Sequence, residues 1–427
     1  QAPLSLKDKV EKSIEEAKAQ RETLEKSYDD ETDGDSEGST PQSIPERGNY
    51  RELFSLTTKS RMFYRVFFEG FGTYDASLIP DPLRYDIWIV VAHAGPDAKQ
   101  PNSRLIVCGA GMLDEALLCA DRPVAIPIGV SAPGNCGNDL AHFNADLGPR
   151  NGRISFGPSG PYILYNLQSA TNCMGIWLQD ARMLLDLFRI EQPLARNFTT
   201  AVELRRPVAP KRVEKNFFLF WDKDNMPYVH SNLWPRRSFA RLDVDGTLGN
   251  DLAPEAARRD QVCMAKHMPY VVSRHETVRQ ASNALAITLC KRADATCRPT
   301  DGNTYNMHIF HHRLHYDGHP VYEPYVLLFQ RTAPFAVHAI SQRSFWVRGR
   351  AGLSAESGSR QYAGRAHEIP EGHTERLSIV SMSWKTHGQK YHGFLDDPLF
   401  VGFGVEDSRA GAIDFKAEDL LQDMAFC

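Results

Sequence analysis

From residue 60 onward the chain is a succession of short apolar runs rich in β-branched and aromatic residues, each closed by a turn-rich loop. That pattern restricts the fold more than any other feature. YDIWIVVAHAG (85–95), RLIVCGAG (104–111), YILYNLQS (162–169), FFLFWD (217–222), YVLLFQ (325–330), SIVSMSW (378–384) and LFVGFGVED (399–407) are examples. Helical periodicity is rare. Irregular insertions lie at 122–150 and 246–280, and the second carries one expected helix, APEAARRDQVCMAKH. Many short strands at recurrent intervals predict an all-β fold: a sandwich, a barrel or a propeller. Such folds run long as single units, and 42% hydrophobic residues supply a large core.

The start of the chain reads differently. Residues 4–28, LSLKDKVEKSIEEAKAQRETLEKSY, hold helix formers and alternating charge with few apolar positions, so an exposed helix is expected. The acidic Ser/Gly/Pro-rich run after it reads as a linker. Residues 1–48 are therefore expected to form a stalk or a disordered extension, and 49–427 the globular domain. The chain has no stretch of eighteen apolar residues and no signal peptide at Gln1. Its charged opening suggests a trimmed start, with an upstream signal or anchor as the only membrane contact.

A net charge of −4 argues against nucleic acid as a partner. None of the eight cysteines forms the C-x-x-C spacing of a zinc site, so disulfides in an oxidising compartment are expected. At least two should form, one of them within the region Cys263 to Cys297. The alternative is buried free thiols. The sequon Asn197-Phe198-Thr199 fits the secretory route.

Polar clusters punctuate the strands at five places: Asp75-Ala76-Ser77 with His93; Gln179-Asp180-Ala181-Arg182; Glu214-Lys215-Asn216 with His230; His311-His312 with Tyr322; and His392-Gly393 with Glu406-Asp407. Each suits one propeller blade presenting its inner strand to a central funnel. The series GIWLQDAR (175–182), EKNFFLFWDKDNMPYVHSNLWPR (214–236), FHHRLHYDGHPVYEPYVLLFQRTAPFAVHAIS (310–341) and YHGFLDDPLFVGFGVEDSRAGAIDF (391–415) resembles, in order, the motifs of inverting β-mannoside phosphorylases and hydrolases. In that family a G-x-E-D-P-R-like segment carries the catalytic Asp. With its stalk the chain also resembles fungal β-mannosyltransferases.

The resemblance implies a five-bladed β-propeller and a single displacement with inversion. Asp180 would be the general base of a transferase, or the general acid of a phosphorylase or hydrolase. It implies a nucleotide-activated mannose (GDP-mannose) as donor, a mannoside acceptor, no metal or other cofactor, and a Golgi or secreted location. A silent glycan-binding propeller is the reading from another class. Asp180→Asn would keep the fold and nearly abolish turnover. Gln179 replaces a Glu of the pattern, Ala181 a Pro, and His93 an Arg, which counts against phosphorolysis.

On this reading the substrate is held by Asp75, His93, Gln179, Arg182, Lys215, Asn216, His230, Arg236, His312, Tyr322 and Asp407, with Arg237, Lys385 and His387 as further phosphate candidates. The spacing of Asp180 and Arg182 by itself favours a surface ion pair, and the resemblance reverses that preference. HIFHHRLHYDGH (308–319) offers histidines on alternating faces with no carboxylate at ligand spacing, so no metal site is expected there. Asp243-Val244-Asp245 lies in RLDVDGTLG and reads as a turn. Trp88, Trp177, Trp221, Trp234 and Trp384 are divided between core and sugar stacking.

Overall fold

The computed structural model describes residues 50–132, 136–169, 171–186, 197–206, 211–271, 276–316, 319–351 and 374–427. The expected stalk, 1–48, lies outside them.

The apolar runs become antiparallel meanders. The first comprises Thr73–Pro80, Ile87–Ala94, Arg104–Leu113 and Ala116–Cys119. The second comprises Arg150–Phe156, Pro161–Gln168, Met174–Asp180 and Val202–Glu203. Phe218–Trp221, Pro227–Asn232 and Ser238–Arg241 form the third. Glu276–Thr288, Thr304–Tyr316, His319–Gln330 and Val337–Ser341 form the fourth. The last is Leu377–Trp384, Pro398–Val405 and Arg409–Lys416.

Strand Tyr64–Phe67 welds the two ends of the series together. It pairs antiparallel with Arg409–Lys416 and parallel with Ala116–Cys119, putting the first and last meanders into one nine-stranded sheet. The result is nearly closed, which removes exposed strand edges. The leading strands of the meanders pack on one another: Thr73–Pro80 against Arg150–Phe156 and Leu377–Trp384, and Glu276–Thr288 against Phe218–Trp221 and Leu377–Trp384. Such close approach needs small residues. A Cβ on Gly402 would lie 2.3 Å from the Ala76 carbonyl oxygen, so only glycine lets the Pro398–Val405 strand reach that backbone.

Side chains alternate between clusters on the two faces of each sheet. Leu285, Ile287, Met382, Trp384, Val401 and Phe403 belong to the largest cluster, and Leu78, Val90, Ile106 and Phe400 to a second. The helix occupies Ala253–His267, where the sequence places it, and packs Cys263 and Met264 against Phe239 and Phe335. Among the described residues no helix is long and apolar enough to cross a membrane.

All eight cysteines are paired: Cys108–Cys119, Cys136–Cys173, Cys263–Cys427 and Cys290–Cys297. The bridge expected between residues 263 and 297 is Cys290–Cys297, while Cys263 reaches the C-terminal residue. Four disulfides suit an extracellular or secretory-pathway protein.

Candidate functional site

Bulges at the same end of several leading strands turn side chains toward the axis. The register slips between Tyr74 and Ser77, between Arg150 and Arg153, between Gln280 and Ala284, and between Ile379 and Ser381. Nearby, Asp75, Asn151, Asn216, Glu406 and Asp407 adopt left-handed backbone, with φ of 57°, 51°, 60°, 52° and 45°. That conformation is uncommon outside glycine and concentrates at functional sites.

Asp75, Asn151 and Asp407 among them border a cavity of about 370 Å³ that is also lined by Tyr74, His93, Arg150, Asn166, Lys215 and Tyr322. Asp75 is its chemical centre. The carboxyl lies against Gly404, where a Cβ would come within 2.0 Å of Oδ1, and Oδ1 has no hydrogen-bond partner among the described residues. Burial and the nearby Asp407 raise its pKa to about 7, against the pull of Arg153 and Arg376. An unpaired carboxyl poised near neutrality beside an open cavity is suited to proton transfer.

His93 is buried with both ring nitrogens unpartnered, and burial, helped by Arg150, lowers its pKa to about 4. The ring is therefore neutral at physiological pH and available to a ligand hydroxyl. On another wall, Lys215, exposed but partly desolvated, has its pKa lowered by that desolvation and by the crowding of Arg279, Arg313 and Arg150. Arg150 is already paired with Asp146 at 3.0 Å, and the positive charge gathered here suits an anionic group at the cavity.

Of the residues expected from sequence, Asp75, His93, Lys215, Tyr322 and Asp407 meet at this cavity. Asn216 lies just behind it and accepts a hydrogen bond at Oδ1 from Arg153. The others sit elsewhere. Asp180 is fully buried at the end of the third strand of its meander, with both oxygens held by Arg182: Nε to Oδ1 at 2.8 Å and NH2 to Oδ2 at 2.5 Å. It lines no part of the cavity. The Asp-x-Arg pair is thus closed on itself as a buried ion pair, and neither residue lines the cavity. Gln179 donates to the Thr199 carbonyl, also away from the cavity.

His230 is 0% exposed and lies between Phe218 and Phe239, so it cannot touch a substrate. Arg236 is exposed in a turn whose carbonyl accepts from Asn232, and His312 pairs with Glu276 at 3.1 Å. Arg237 pairs with Asp260, Lys385 with Asp414, and His387 bonds to the backbone of Asp81 and Asp86. Trp88, Trp221 and Trp384 are core, and Trp177 and Trp234 are half-buried; none lines the cavity. Asp243 and Asp245 form a turn in which Asp245 accepts from Thr247. Arg150, Asn151 and Asn166 at the cavity, and Arg153, Arg279 and Arg376 beside its charged groups, are additions from the structure.

Arg182→Ala is expected to lower stability by about 3–5 kcal/mol in thermal melting, because it strands a buried carboxylate. Unchanged melting would show that Asp180 does not need this partner and return it to the candidate proton-transfer groups.

No family model matches the chain, and no curated protein sequence matches it. Among solved structures it is similar to β-1,2-mannobiose phosphorylase from Listeria innocua, at 8% identity over 86% of this chain and 98% of that one, with a TM-score of 0.44. It is similar to MPT-1, a GDP-Man-dependent mannosyltransferase from Leishmania mexicana, at 10% identity, 84% and 91% coverage and a TM-score of 0.43. A third likeness is to a structure from the GH130 family of mannoside phosphorylases, which contains hydrolases targeting β-1,2 mannosidic linkages in Candida mannan, at 11% identity, 88% and 97% coverage and 0.40. Likeness at this level assigns no residue role.

Proposed function

We propose that the chain is a carbohydrate-active enzyme that transfers a mannosyl group from a phosphate-activated donor, GDP-mannose in the reading from sequence, to a mannoside hydroxyl with inversion. Asp75 is the general base in place of Asp180. The observation that carries this reading is the pairing, in one cavity, of an unpartnered carboxyl poised near pH 7 with a crowded cationic wall. The acceptor oxygen attacks the anomeric carbon while Asp75 takes its proton. The bond from that carbon to the phosphate oxygen breaks, and the phosphate leaves with the electron pair toward Arg150 and Lys215. The mannosyl identity comes from the ordered sequence motifs. We read the meanders as five blades around the cavity, in a protein of the Golgi lumen or a secreted one.

One observation favours a second reading. A carboxyl with a pKa of about 7 is partly protonated at neutral pH and can equally give a proton to a bridging oxygen, with inorganic phosphate on the same cations: phosphorolysis. Incubation of the protein with GDP-mannose plus a β-mannoside, and separately with a β-mannobiose plus phosphate or in water, decides between them by product. No product in any arm would leave the glycan-binding reading.

Asp243→Asn and Asp245→Asn are expected to change turnover less than about twofold, since Asp245 is occupied within its own turn. A chelator should leave the rate unaltered. Loss of activity in either case would install a metal-dependent transferase instead.

A further inference from the structure

A chain of buried hydrogen bonds runs from the helix Ala253–His267 to the wall of the cavity, and the direction of each link is determined. Asp260, on the helix, accepts from Val337 N at Oδ1 and from Arg237 NH1 at Oδ2, at 2.8 and 2.6 Å. The Arg237 guanidinium lies over the Phe239 and Phe329 rings and donates from Nε to His230 Nε2 at 3.2 Å. Because Arg237 can only donate, His230 carries its proton on Nδ1 and donates it to Gln280 Oε1 at 2.5 Å. Burial and the Arg237 charge keep the ring neutral, its pKa held well below the usual range. The amide of Gln280 is thereby oriented with Nε2 toward the Asn216 carbonyl oxygen, 2.5 Å away. Asn216, in its left-handed conformation, accepts from Arg153 NH2 at Oδ1, 3.1 Å away. Arg153 is one of the two cations acting on Asp75.

Burying so many polar groups is costly, and Arg237 NH2 and Arg153 NH1 find no partner among the described residues, but the bonds that are made specify one geometry. Apolar residues would fill the space between helix and cavity with less desolvation. What this network adds is a fixed position for Asn216 Oδ1, and through it for Arg153.

We propose that Asn216 and Gln280, backed by His230, Arg237 and Asp260, are positioning residues that hold the Arg153 guanidinium against Asp75 and so set the pH at which that carboxyl exchanges its proton. The proposal rests on the reading of Asp75 as the proton-transfer group. The charged and titratable groups facing Asp75 are Arg153 from the second meander, Arg376 at the start of the last, Asp407 from the turn after Pro398–Val405, and Tyr74 beside it. Only Arg153 is reached by the chain. Arg376 is separately paired with Asp407 at 3.0 Å. Releasing Arg153 weakens one attraction that favours the ionised carboxylate and leaves the Asp407 repulsion in place, so the midpoint moves upward.

The test needs no substrate. Melting temperature is followed against pH for the full chain as wild type, Asn216→Gly and Gln280→Leu, each with and without Asp75→Asn. The difference within each pair isolates the Asp75 titration. Asn216→Gly keeps the left-handed backbone accessible and removes only the acceptor. The wild-type pair should diverge around pH 7, and both other pairs should diverge about one pH unit higher. Lower melting temperatures with an unmoved midpoint would make the network merely structural and overturn the proposal. If the wild-type and Asp75→Asn curves run parallel, the reading of Asp75 itself fails, an outcome distinct from an unmoved midpoint.

Discussion

Replacing Asp75 with Asn should lower turnover by about 10²- to 10⁴-fold and, at pH 8, raise the melting temperature. The first effect follows from losing the group that accepts the acceptor's proton, whose contribution in general acid/base catalysis covers that range. The second follows from linkage. The folded-state pKa, about 7, is above the ordinary carboxyl value, so the folded protein binds this proton more tightly than the unfolded chain does. The resulting stabilisation is fully present below about pH 4 and is lost as pH rises through 7. A displacement from about 4 to about 7 corresponds to about 4 kcal/mol at 1.36 kcal/mol per pH unit, which partial solvent access reduces to about 2. Asparagine removes this penalty at pH 8, a gain of about 2–3 °C for a chain of this size. The rate itself should climb with pH through 7 if Asp75 acts as base, and fall through the same range if it acts as acid. An active variant, or a variant that melts lower at pH 8, would move the chemistry to another residue.

A stabilised but inactive variant is the usual signature of a site kept under strain for function. The strain here was partly visible in the chain. Polar clusters at strand ends and in the adjoining turns single out Asp75, His93, Lys215, Tyr322 and Asp407, which line the cavity, but the same pattern also marks Gln179, Arg182, His230 and His312, which do not. The helix at 253–267 was legible for the opposite reason: it is the one long run with helical spacing.

Asp-x-Arg reads the same in sequence whether it grips a substrate or itself; here Asp180 ends its strand and Arg182, in the short turn Ala181–Met183, closes on its carboxylate. Segment 148–153 instead supplies Arg150, Asn151 and Arg153. That segment opens the strand that borders the cavity, whereas 175–182 ends a strand away from it. His230 illustrates a different limit: the phenylalanines that enclose it come from Phe218–Trp221 and Ser238–Arg241, and no local pattern in HSN reports that enclosure. Arg150, Arg153, Arg279 and Arg376 carry no spacing signal at all. Bulges aim Arg150 and Arg153, and bulges depend on pairing partners far away in sequence.

Lys215→Met should weaken a phosphate-bearing donor by about 10- to 100-fold while leaving the empty protein as stable as before or more so. Lysine is a point charge for phosphate, and a hydrogen bond to a charged group is worth about 1.5–3 kcal/mol, which sets the size of the loss. Methionine keeps the apolar stem and deletes the ammonium. In the empty protein that ammonium is crowded by Arg279, Arg313 and Arg150, so its removal relieves repulsion. Titration calorimetry with a nucleoside diphosphate should show the weakened binding. Wild-type affinity should also fall as salt is raised, with a smaller salt dependence in the variant, because one cation fewer is screened. The same titration with a neutral mannoside should be nearly unaffected, since hydroxyls carry no charge for Lys215 to hold. Equal loss of both ligands would mean that Lys215 shapes the cavity, and loss of the mannoside alone would place the sugar, and not the phosphate, on the cationic wall.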